Sequence, residues 1–146
     1  WKAAWIRSGC FALLATGLLW YLRAGIPPVP LHLARATAAR TVVGMEPVDP
    51  FTSVLEVHLR QWGGMVAYTA VYAPAGLHQP IVHVWSKNED PVTTIPLSPV
   101  RGGRAEGFRT YSRKSDLGAN PVGRWTVDVV TASGQLIGRL RFTVTS

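Results

Sequence analysis

Residues 123–144 read GRWTVDVVTASGQLIGRLRFTV, two apolar-alternating runs that meet across a short polar turn. Side chains of an extended chain point alternately to opposite faces, so a period of two marks a strand with one buried side. In the first run Trp125, Val127 and Val129 share a face. In the second, over 135–144, Leu136, Leu140, Phe142 and Val144 share one, with Ile137, Arg139, Arg141 and Thr143 opposite. Ala132-Ser133-Gly134 supplies the turn chemistry between them, and the whole stretch predicts a β-hairpin.

The same pattern extends upstream. Residues 54–60 alternate Leu55, Val57 and Leu59 with Glu56, His58 and Arg60, and predict a strand. Trp62-Gly63-Gly64 then reads as a hairpin turn into a second strand over 65–72, since both glycines tolerate positive φ. Residues 81–87 (IVHVWSK) follow Pro80 and end at the turn-rich Asn88-Glu89-Asp90-Pro91. Residues 92–97 and 108–114 are less regular candidates. About seven strands, turn signals every ten residues or so and no useful helical pattern predict a mainly β domain over 41–146, an antiparallel immunoglobulin-like β-sandwich. Its hallmark disulfide is absent, because Cys10 is the single cysteine. That count also excludes multi-cysteine zinc and iron–sulfur sites within this chain.

The chain has 146 residues, 47% hydrophobic and 16% charged, with a formal net charge of +7. This composition fits one ordinary domain with a short extra element rather than a disordered tail.

The extra element is at the front. Residues 8–22 (SGCFALLATGLLWYL) carry no charge, and Arg7 can snorkel, which extends the usable helix to about 1–22. Trp1 and Trp5 at one end and Trp20 and Tyr21 at the other suit the headgroup level, with Lys2, Arg7 and Arg23 bracketing the span. A transmembrane helix over 1–24 is therefore expected. A cleaved export signal, through Ala34-Arg35-Ala36, and a buried helix of a soluble core are the competing readings. A start at Trp1 leads us to expect further protein upstream. Pro27, Pro28 and Pro30 must end the helix, and 25–40 reads as a Pro/Ala-rich linker with His32, Arg35 and Arg40 near the bilayer.

Catalytic chemistry has little support in the residues. His58 and His83 lie on different predicted strands without ligand-like spacing, so both read as half-exposed strand histidines and no metal is expected. Cys10 falls in the expected span, far from any histidine, and Glu56 and Asp128 make no recognisable acid–base pair. No phosphate loop or nucleophile elbow is present, and no cofactor is expected. Arg101, Arg104, Arg109, Arg113, Lys114 and Arg124 crowd one part of the chain and predict an electropositive side for anionic lipid headgroups or an acidic partner. Nucleic acid is not expected, since no reading helix accompanies them. Trp85 and Trp125 read as core. Trp62, beside its turn, reads as an exposed interface anchor or sugar platform.

Met45-Glu46-Pro47, His83-Val84-Trp85, Phe108-Arg109-Thr110-Tyr111-Ser112-Arg113-Lys114, Gly123-Arg124-Trp125-Thr126-Val127, Gly134 and Phe142-Thr143-Val144 occur in that order. In order and spacing they resemble the bacterial family of domain of unknown function 2914, over about 41–146. The exit at 26–31 resembles the linker before this domain in multi-pass inner-membrane proteins. The resemblance implies a small membrane-tethered β domain with no assigned catalytic activity. Together with the anchor, it leads us to expect a non-enzymatic accessory or scaffold subunit of a bacterial inner-membrane complex, with its β domain in the periplasm and other integral membrane subunits as partners. A membrane-anchored module binding glycan or envelope polymer is the alternative expectation.

Overall fold

The computed structural model of the chain describes residues 31–146. The expected membrane helix over 1–24 and residues 25–30 of the expected linker lie outside the described residues. Among the described residues no helix is long and apolar enough to cross a membrane.

The first strand, β1 (His32–Val43), begins inside the stretch read as linker, so the β domain starts well before residue 41. Alanine is a poor strand former, which hid this element. Ala38 and Ala39 are nevertheless fully buried, and packing overrides propensity here. β2 (Glu46–Phe51) returns antiparallel through Gly44-Met45, whose φ values of 57° and 60° give the turn twist that matches a tight hairpin. Eight residues separate Arg35 from Val43, the register partner of Glu46, a span of about 26 Å in a straight strand. Arg35 and Glu46 are nonetheless ion-paired at 3.2 Å. The hairpin must therefore curl back over the sheet.

The chain changes sheet at Thr52 and forms β3 (Ser53–Leu55), parallel to the C-terminal strand. Residues 56–62 are not a strand but a short helix, α1 (Glu56–Trp62). Leu59 is its one buried residue, Val57 stands 53% exposed, and Glu56 pairs with Arg60 one turn on. Gly63, at φ 66°, caps the helix: its N–H donates to the Arg60 carbonyl and that of Gly64 to the Leu59 carbonyl, the doubly bonded Schellman stop. The glycine pair that reads as a hairpin turn is thus a helix terminator.

The remaining strands are β4 (Met65–Tyr72), β5 (His78–Gln79), β6 (Ile81–Lys87), β7 (Asp90–Pro96), β8 (Val100–Arg101), β9 (Phe108–Lys114), β10 (Gly123–Thr131) and β11 (Leu136–Thr145). One sheet runs β2-β1-β4-β9, the second β3-β11-β10-β6-β7, and β5-β8 form a small ribbon. Their inner faces meet in a core where Ala38, Met65 and Ala67 of the first sheet lie against Trp85, Trp125 and Phe142 of the second. Trp125 and Phe142 stack with centroids 6.3 Å apart, and Trp85 sets its edge against both. The hairpin expected over 123–144 is present, with one shift. A bulge between Val129 and Val130 slips the register, leaving Leu136 52% exposed while Ile137 packs inward.

The two glycines after α1 make a prediction. A Cβ at Gly63 meets open space and costs only the positive φ, about 1 kcal/mol. A Cβ at Gly64 would sit 2.5 Å from the Lys114 carbonyl oxygen on β9. Urea denaturation should show Gly64→Ala losing clearly more stability than Gly63→Ala; equal losses would contradict the close approach of α1's exit to β9.

Candidate functional site

Alternation on β6 sends His83 and Trp85 inward, and on β9 it sends Thr110, Ser112 and Lys114 inward. His83 is therefore not half-exposed, as its strand position suggests, but fully buried. Its Nε2 lies 3.0 Å from Thr69 Oγ1 on β4, and its Nδ1 lies 2.7 Å from Ser112 Oγ on β9. Trp85 Nε1 donates to the same Ser112 oxygen at 3.0 Å. A neutral imidazole has one N–H and one bare nitrogen, so it donates to one of these hydroxyls and accepts from the other. Burial alone pushes its pKa down to about 4 from the ordinary 6.5. A serine beside a histidine suggests a nucleophile and its base, but Ser112 is 3% exposed and its hydroxyl is already engaged by two partners.

The outward faces carry the accessible chemistry. The six basic residues expected to share one side do not. Arg109 lies on the first sheet's outer face, paired with Glu46 at 2.8 Å and Glu106 at 3.7 Å. There the curled hairpin also sets Arg35 over the ring of Tyr68, 5.5 Å from its centroid. Arg113 donates to the Trp62 and Gly63 carbonyls, tying β9 to the end of α1. Arg104 lies over Phe108, Arg101 is exposed on β8, and Lys114 is buried in the inward row. Arg124 points the other way, from the outer face of the second sheet. Trp62 is not an exposed anchor either. It is half-buried, with Phe51 and His58 against its ring and the Arg40 guanidinium 5.9 Å from its centroid.

On the second sheet's outer face lies a groove of about 620 Å³, lined by Arg124, Thr126 and Asp128 of β10, by Arg139, Arg141 and Thr143 of β11, and by Ser86 of β6. Arg139 grips Asp128 through both carboxylate oxygens, a bidentate pair that raises the arginine pKa further. The Asn88-Glu89 turn walls one side. Asn88 Oδ1 accepts from the Arg124 backbone N–H at 3.0 Å, fixing that wall to the floor. Strand alternation put Arg139, Arg141 and Thr143 on one face in the sequence. The register that adds Arg124, opposite Thr143, and Thr126, opposite Arg141, was the missing signal.

The buried imidazole makes a pH prediction. Unfolded chain takes up a proton at His83 as pH falls through 6.5, whereas folded chain does so only near 4. This contribution to stability is full above pH 6.5 and is lost as pH falls, reaching about 3 kcal/mol at pH 4. Urea midpoints between pH 7 and 4.5 should fall more steeply for the native protein than for His83→Gln, and parallel slopes would contradict a neutral core histidine.

No curated protein matches the chain. Residues 78–144 match the family described as Protein of unknown function (DUF2914), the family that the ordered motifs from His83 onward resemble.

Proposed function

We propose that the protein is a non-enzymatic accessory or scaffold subunit of a bacterial inner-membrane complex. The N-terminal segment anchors it, and the β domain, of immunoglobulin-like build, docks on the complex from the periplasmic side. The observation that carries this reading is the division of labour between core and surface. The one Ser–His contact among the described residues is sealed between two sheets, while the outer faces hold arginines, hydroxyls and curled hairpin surface that another molecule can meet. Extended rigid sheets with polar outer faces suit docking, which needs preorganised surface rather than a reactive group. The apolar, aromatic-bracketed run over 1–22 supports the anchor, and the match over 78–144 gives the reading a family without a catalytic assignment.

Mild-detergent extraction from native membranes, a native gel and mass spectrometry of what comigrates tests this directly. The expected result is stoichiometric association with a defined membrane complex. Migration of the chain alone would contradict the proposal.

A further inference from the structure

The groove on the second sheet has a charge pattern that nothing in the chain satisfies. Arg124 and Arg141 both face it, and neither is in an ion pair. All eight acidic residues belong to the described part, because residues 1–30 contain no Asp or Glu. Five of them are paired with other arginines: Glu46, Asp49, Glu56, Glu106 and, within the groove itself, Asp128. Of the other three, Glu89 lines the rim of the same groove, and no carboxylate lies within ion-pair distance of either guanidinium group.

Their spacing is fixed by the sheet. Arg124 stands opposite Thr143 and Thr126 opposite Arg141, so the arginines are diagonal neighbours with Cα atoms about 7–8 Å apart. The hydroxyls of Thr126 and Thr143 fill the other two corners, and Ser86 lies across from Thr126 on β6. Asp128, the one carboxylate on the groove floor, is held by Arg139 and so presents little net charge to a ligand. At the rim, the Asn88-Glu89 turn holds both residues at positive φ, 49° and 77°. Both are the central residues of the two-residue hairpin that joins Lys87 of β6 to Asp90 of β7, a turn that needs positive φ at both positions. Gly123 gives the turn room, since a Cβ there would lie 2.8 Å from Asn88 Oδ1.

Two unpaired guanidinium forks over hydroxyl donors match the several acceptor oxygens of a phosphoryl group. The Glu89 carboxylate, which lines the rim of the same groove, is an acceptor that suits hydroxyls attached to it. The volume fits a small polar molecule rather than a protein segment. We infer that this groove binds a phosphoryl group bearing a neighbouring polyol, with Arg124 and Arg141 on the phosphoryl oxygens and Glu89 and Asn88 on the hydroxyls. A soluble glycerol or sugar phosphate and a glycerophosphate lipid headgroup share that chemistry. The inference stands apart from membership of a complex.

The test uses the full chain in phosphate-free maltoside detergent, titrated calorimetrically with glycerol 3-phosphate and with inorganic phosphate. A parallel arm measures cosedimentation with phosphatidylglycerol against phosphatidylcholine vesicles. Saturable binding of at least one phosphoryl probe is expected, weakened tenfold or more in the double variant Arg124→Gln/Arg141→Gln. The double lysine variant, which keeps charge but loses the forks, should fall between, and Arg101→Gln should bind as the native protein does. Both groove arginines are exposed and unpaired, so circular dichroism should show the variants folded. Binding of the soluble esters names a metabolite source; a preference confined to phosphatidylglycerol names the lipid. No binding in any arm, or binding that the double glutamine variant retains, would overturn the inference.

Discussion

A neutral imidazole bridges the two sheets of this domain, and their relative position depends on it. His83 belongs to the second sheet, while Thr69 and Ser112, the partners of its two nitrogens, belong to adjacent strands of the first. Hydrophobic packing between sheets is tolerant of small slides, because dispersion and burial have little direction. Hydrogen bonds in a dry core are directional, and a partner lost there leaves an unsatisfied group worth about 1–3 kcal/mol. The Trp85 indole extends the chain to a fourth group and ties the aromatic cluster to the same serine. No buried side-chain polar atom among the described residues is left without a partner. The polar core thus selects one register between the sheets, while Trp85, Trp125 and Phe142 form the aromatic centre of the apolar packing.

That fixed register has consequences on the outside. β10 presents Trp125, Val127 and Val129 to the core, so it must present Arg124, Thr126 and Asp128 to the groove. One strand holds both the core and the candidate site. Anything that slipped β10 by a residue would exchange the two sets, burying charge and exposing indole. The bulge near Val129 and Val130 lies beyond the groove's end, where it re-aims Leu136 and Ile137 without disturbing Arg139 or Arg141.

Much of this was legible in the sequence, because period-two patterns survive wherever a strand has one buried face. β6 and β10 fall where the alternation and the turn residues place them. β4 and β9 fall over the expected 65–72 and 108–114, although β4 is buried on both faces and follows a helix stop rather than a turn. The failures have particular causes. β1 is rich in alanine, whose strand propensity is low, and only its neighbours show that it is a central strand. Residues 54–60 satisfy a period of two by accident, and the decisive features of α1 were the Glu56–Arg60 spacing and a glycine stop that imitates a hairpin turn. His83 looked ordinary because a lone histidine in a strand carries no sign of the serine and threonine that meet it from another sheet. The basic run over 101–124 suggested one patch, but β9 and β10 face opposite sides of the domain, so nearness in sequence separated the charges in space. Arg124 and Arg141 join only once the hairpin register is known.

The claim that the two sheets are locked by a neutral, doubly bonded imidazole is tested most directly by nitrogen-15 NMR of His83 as a function of pH. The account predicts a ring held in a single tautomer that stays neutral through pH 5 and takes up its second proton only near 4. Protonation near the ordinary value of 6.5, or a ring exchanging between tautomers, would contradict it.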